Sequence, residues 1–155
     1  MKPIVLPLPT GTLSVDIKGL WLLQSREDYT PDGQKRIDPT LGVDPMGILA
    51  YSDTHFTAQF MKRDRSDKSQ MVSYSGSNNT VATDGYDAYF GIYAVDESSG
   101  RVKHTLLGSV NENNIGISVW RDLRITGDQL IIQLDTTTLE GEPIVRTLTW
   151  KRDKN

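Results

Sequence analysis

The stretch Arg101-Val102-Lys103-His104-Thr105-Leu106, with Ile117-Ser118-Val119-Trp120-Arg121-Asp122-Leu123-Arg124-Ile125 a short loop further on, decides the fold. Side chains of a β-strand point alternately to opposite faces, so residues at even spacing share one. Val102, His104 and Leu106 therefore lie on one side of the first segment. Ile117, Val119, Leu123 and Ile125 make the apolar side of the second, with Arg121 in the middle of that row. A guanidinium in a core-facing row is costly unless it meets a partner, water or a ligand. The pair predicts antiparallel β structure with a polar, wet pocket inside it.

Working outward, the same short alternating runs recur. Strands are predicted at about 19–26, 47–52, 55–63, 86–95, 101–110, 118–126, 129–137 and 144–152, with a short one around 34–37. Asp53-Thr54, Asp96-Glu97-Ser98-Ser99-Gly100, Gly127-Asp128 and Glu140-Gly141-Glu142-Pro143 read as hairpin turns. Residues 1–16 read as an extended N-terminal arm and 17–155 as a single domain. The stretch 64–85 is long, polar and without helical period, the kind of loop that covers a site. Eight or nine strands joined by short hairpins predict an all-β fold, an up-and-down antiparallel barrel, because closure removes the unpaired edges of a meander. A two-sheet sandwich is the alternative, but it usually needs long crossovers.

Composition narrows the function. The 155 residues suit one domain, and a net charge of -3 offers no basic footprint for nucleic acid. The run Lys62-Arg63-Asp64-Arg65-Ser66-Asp67-Lys68 is mixed in sign and reads as a solvated loop. The absence of cysteine excludes disulfides, zinc–thiolate sites and thiol nucleophiles. Two histidines without His-x-x-x-His spacing predict no metal site, and neither a Gly-rich phosphate loop nor a dinucleotide fingerprint calls for a cofactor. Prolines interrupt the apolar start, and no apolar run reaches membrane-spanning length. A soluble, cytoplasmic protein is expected, with no membrane or nucleic-acid partner and with a homodimer left open.

Several motifs carry a resemblance. Gly19-Leu20-Trp21 looks like the Gly-x-Trp signature of lipocalins and their calycin relatives. Asp44-Pro45-Met46-Gly47-Ile48-Leu49-Ala50-Tyr51, Thr57-Ala58-Gln59-Phe60-Met61, Tyr89-Phe90-Gly91-Ile92-Tyr93, Val102-Lys103-His104, Arg121 with Gly127-Asp128-Gln129-Leu130, and Leu148-Thr149-Trp150-Lys151-Arg152 follow in an order similar to the lipocalin-like domain family. The turn Asp53-Thr54-His55 departs from that family's usual Asp-Gly. The resemblance implies a calycin barrel with a ligand pocket. It also implies a cation packed over Trp21, for which Arg152 is the first candidate and Arg146 the second.

His104 and Arg121 are the sharpest site candidates. On adjacent strands and both facing inward, they can bind a carboxylate, enolate or phenolate. Their plain structural role is a buried polar network. Tyr51, Tyr89 and Tyr93 can hydrogen-bond a ligand oxygen or simply pack, and Gly91 in mid-strand suggests a bend or close approach. Gln59 is pulled two ways: the resemblance favours a pocket residue, while alternation favours the face of Phe56, Ala58 and Phe60 as the interior. Arg146 shares a face with Ile144, Leu148 and Trp150 and is a second inward cation. His55, at a turn, reads as an exposed loop residue.

The first functional expectation is binding of a small hydrophobic or amphipathic molecule bearing a carbonyl, carboxylate or phenol. The second follows from the resemblance: a cofactor-independent cyclase, isomerase or dehydratase of secondary metabolism, with His104 as acid or base and Arg121 stabilising an oxyanion. That reading requires His104 to titrate in the working pH range. A solid-cored structural protein is the third.

Overall fold

The structure, a computed structural model, describes residues 4–9, 11–66, 78–80 and 82–154. A helical turn, α1 (Leu13–Asp16), precedes nine strands: β1 (Gly19–Tyr29), β2 (Lys35–Arg36), β3 (Met46–Tyr51), β4 (His55–Met61), β5 (Tyr86–Asp96), β6 (Arg101–Ser109), β7 (Ser118–Thr126), β8 (Gln129–Thr137) and β9 (Pro143–Arg152). A short 3-10 turn, Glu112–Asn114, lies between β6 and β7. Neighbouring strands are antiparallel throughout, and β1 pairs with β9 as well as with β3, closing eight strands into a barrel. Strand β2 is an extra ribbon on the far end of β1. No described helix is long and apolar enough to cross a membrane.

The alternation explains the lining. Phe56, Ala58 and Phe60 of β4, Val102 and Leu106 of β6, and Leu130, Ile132 and Leu134 of β8 are buried at every second position. Burial of such apolar area, at roughly 25 cal/mol per Å², is the main force holding the barrel shut. Tight hairpins close one end, between β3 and β4, β5 and β6, and β7 and β8. The longer connections gather at the other end, the mouth.

The closed end is sealed around Trp21, which is fully buried and donates its indole N–H to the Ile17 carbonyl at 2.9 Å. The Arg152 guanidinium lies 4.2 Å from the Trp21 ring centroid and donates to the carbonyls of Lys18 and Asp16. A cation over an indole face is attracted by the ring quadrupole. Gly19 is required here: its φ is +120° and an added Cβ would meet Arg152 Nη1 at 3.3 Å. The cap therefore belongs to Arg152, not to Arg146.

The N-terminal stretch, read as extended, contains the α1 turn, with Leu13 buried against the core. Four residues are too few to show a helical period. Residues 4–9 run along the outside of β7 and β8, where Gln133 donates to the Ile4 carbonyl and Arg124 to the Pro7 carbonyl, both at 2.6 Å.

Two irregularities shape the interior. The β1–β9 register slips between Leu23 and Ser25, leaving Gln24 as a bulge. The β5–β6 register slips beside Gly91, where an added Cβ would stand 1.8 Å from the Thr105 carbonyl oxygen. The mid-strand glycine thus marks a backbone close approach.

Candidate functional site

Strands β6 and β7 bring His104 and Arg121 together as diagonal neighbours, since Val102 pairs with Arg121 and His104 with Val119. His104 is 5% exposed and Arg121 7%. His104 Nε2 and the Tyr51 hydroxyl share a 2.6 Å hydrogen bond, and Phe56 packs edge-on against the imidazole at 4.5 Å between centroids. Burial, helped by the Arg121 charge, pushes His104 down to about 3, so its imidazole is neutral at ordinary pH. Burial likewise drives the Tyr51 phenol well above its usual value.

Arg121 reaches toward the mouth. Its Nη1 donates to the Asn78 carbonyl at 2.8 Å and the Trp120 carbonyl at 3.0 Å. Among the described residues no carboxylate lies within 4 Å of it. Burial lowers its guanidinium to about 10, which still leaves it charged. Tyr89 stands beside it on β5, its phenol raised by burial and by Asp87 to about 12.

The mouth end of the interior is ionic. Arg146 makes a two-pronged pair with Asp28, Nε to Oδ1 at 2.8 Å and Nη2 to Oδ2 at 3.0 Å. Arg26 donates to Asp38 at 3.0 Å, and Arg146 lies 3.7 Å from the same Asp38 oxygen. Burial opposes the Asp38 charge, yet Arg26 and Arg146 hold its carboxyl down at about 2. The Arg146 guanidinium is raised: burial works against its charge, but the Asp28 bond and the nearby carboxylates prevail. Residues 78–80 lie across this end. Asn78 holds Arg121 and the Trp120 amide, Asn79 faces Arg146, and Thr80 bonds Asp87. The rest of the loop expected to cover the mouth, 67–77 and 81, lies outside the described residues.

Three spaces follow one another inward. A cleft of about 550 Å³ opens at the mouth between the segment 36–39 and the β8–β9 turn, and reaches Asp38, Asn79 and Arg146. Those three residues also line a cavity of about 40 Å³ that holds Asp87, Tyr89 and Arg121. A second cavity of about 40 Å³ shares Tyr89 and Arg121 and ends at His104 and Tyr51. Pockets for drug-sized ligands measure roughly 300–1,000 Å³. The inner cavities therefore have room for a polar head group or a few waters. The barrel is less hollow than the sequence suggested because the aromatic rings of Tyr51, Phe56, Phe60, Tyr89 and Trp150 fill it.

The sequence-derived site residues divide accordingly. Tyr51, Tyr89, His104 and Arg121 line the inner cavities, and Arg146 stands between them and the cleft. Tyr93 faces inward but lines neither cavity. It packs edge-on to Tyr51 at 4.9 Å and donates to the Ser52 carbonyl at 2.6 Å. Gln59 is corrected: it is exposed on the outer wall, accepting a hydrogen bond from Tyr86, because Phe56, Ala58 and Phe60 take the inward face. His55 is exposed. Asp28, Asp38 and Asp87, unmarked in the sequence reading, all contribute to the site. No cluster of three potential metal-ligating side chains occurs among the described residues.

The described residues thus form a closed eight-stranded antiparallel barrel, capped by a Trp–Arg pair at one end and carrying a polar chamber toward the other. The lipocalin-like domain family model matches residues 18–153, and the chain belongs to that family. No curated protein matches it.

Proposed function

We propose that this protein binds a small, partly apolar molecule by its oxygen-bearing end. Arg121 takes a carbonyl, carboxylate or phenol oxygen, with Tyr89, His104 and Tyr51 around it. The ligand's body lies outward, past Asn79 and Arg146, in the mouth cleft. One observation carries this reading: the buried Arg121 guanidinium stands between two cavities with no carboxylate within 4 Å among the described residues. A desolvated cation with spare donors lining two cavities favours an acceptor there. The family's barrel, which suggests small-ligand binding in general, supports it.

The enzymatic alternative needs an imidazole that titrates near neutrality. His104, held near 3 and bonded to Tyr51, does not favour it. Ligand-observed NMR with acetophenone and ethylbenzene tests the binding reading. The carbonyl compound should bind more tightly, and Arg121→Met should weaken it about tenfold or more, as expected for a charged hydrogen bond. No binding of either compound, or an affinity indifferent to Arg121→Met, would remove the proposal.

A further inference from the structure

Asp87 lies on β5, two residues before Tyr89 on the same inward face, and is 3% exposed. Its Oδ2 accepts a hydrogen bond from the Thr80 hydroxyl at 2.6 Å. Its Oδ1 is buried and has no partner among the described residues. A buried carboxylate oxygen without a donor is unfavourable, and such atoms are rare in folded proteins. Asp87 and Arg121 line the same inner cavity without pairing with each other. The cavity thus presents a spare acceptor and spare donors, with Phe60, Leu134 and Leu148 as apolar walls.

Charge decides what fits. Among the described residues, Arg26, Arg121 and Arg146 of this cavity's lining are balanced by Asp38 and Asp87 of the same lining and by Asp28, which pairs with Arg146 just behind it. An anionic head would leave the chamber with excess negative charge in a poorly solvated space. A head with an acceptor alone would leave Asp87 Oδ1 dry. We propose that the polar head selected here is neutral and carries an acceptor beside a donor, as in an α-hydroxycarbonyl group, with Arg121 holding the carbonyl oxygen and Asp87 Oδ1 accepting from the hydroxyl. Burial raises the Asp87 carboxyl against the pull of the Thr80 bond, so a donor supplied by the ligand relieves part of that cost. This inference rests on the barrel being a binding site, as above, and adds Asp87 as its specificity residue.

The test compares α-hydroxyacetophenone, acetophenone and benzoate on the full chain at pH 7 by ligand-observed NMR. α-Hydroxyacetophenone should bind about tenfold more tightly than acetophenone, and benzoate more weakly than either. The Asp87→Leu variant should bring the hydroxyl preference close to one. Equal affinity of the two ketones for the unmodified protein would overturn the inference, and that comparison needs no variant to fold. So would a preference that survives Asp87→Leu, or benzoate binding most tightly. In each of those cases the binding site itself stands. If none of the three binds, the binding reading falls and this inference falls with it.

Discussion

The Tyr51 hydroxyl and His104 Nε2 meet at 2.6 Å in the protein's interior, contributed by β3 and β6. The two strands are not neighbours in the sheet, so the bond spans the barrel lumen. It satisfies both polar tips in a region otherwise walled by Leu49, Phe56 and Val119. A buried polar pair of this kind stabilises only while both partners remain.

Removing one partner should therefore show. Tyr51→Phe leaves the imidazole nitrogen without its hydrogen bond and should cost about 1–3 kcal/mol. Urea denaturation at pH 7 measures it. A loss below a few tenths of a kcal/mol would mean that water replaces the hydroxyl.

Acid should act through His104. Its folded value of about 3 lies below the unfolded value of 6.5, so the unfolded chain takes up the proton first. Stability is then full above about pH 6.5 and falls as pH drops toward 3, at about 1.4 kcal/mol per pH unit. Between pH 7 and pH 5 the protein should lose about 2 kcal/mol by this route. Paired urea titrations check it, and His104→Gln should flatten the slope. An unchanged slope would assign the acid sensitivity elsewhere.

The Arg146–Asp28 pair should be asymmetric to mutation. Asp28→Ala leaves the buried Arg146 guanidinium with only one carboxylate among the described residues, Asp38 at 3.7 Å, and should cost about 3 kcal/mol, whereas the double change Asp28→Ala with Arg146→Met should recover much of that loss. A double-mutant cycle in denaturant reads it. Simple additivity of the single changes would show that the two residues are not coupled.

Glycines 91 and 127 should differ. A Cβ at Gly91 would sit 1.8 Å from the Thr105 carbonyl oxygen, so Gly91→Ala must displace backbone and should cost about 3 kcal/mol. Gly127 has nothing within 4 Å of the corresponding position and a φ of +59°. Gly127→Ala should cost only about 1 kcal/mol, the penalty of a Cβ in left-handed backbone. Thermal unfolding of both variants makes the comparison, and equal losses would contradict the close contact.

The barrel was legible because its signals are local. Turn residues such as Gly127-Asp128 sit between runs whose alternation marks the inner face, and His104 and Arg121 stood out as polar intruders in apolar rows. Gln59 shows which signal to weigh: the alternation of Phe56, Ala58 and Phe60 was correct, and motif similarity was not. Asp87 was within reach too, two positions before Tyr89 on the face bearing Tyr93. Arg26 and Asp28 were not. Counting by twos from Trp21 and Leu23 sends them outward, and only the register slip at Gln24 turns them in. The small size of the inner cavities depends on how five aromatic rings share one lumen, which no local pattern encodes.

That slip has an evolutionary corollary. Upstream of Gln24 the strand contributes tryptophan and leucine to the lumen; downstream, the very same strand contributes arginine and aspartate. Gln24 is the extra residue and the bulge absorbs it: Leu23 pairs with Trp150 and Ser25 with Thr149, so one ribbon furnishes an oily floor and a charged vestibule together. Excising that residue would leave those pairings contiguous, so Arg26 and Asp28 would keep facing inward. A lineage could therefore lose that codon and keep its salt-lined entrance, whereas one further residue inserted there without a second bulge would turn both ions out to solvent.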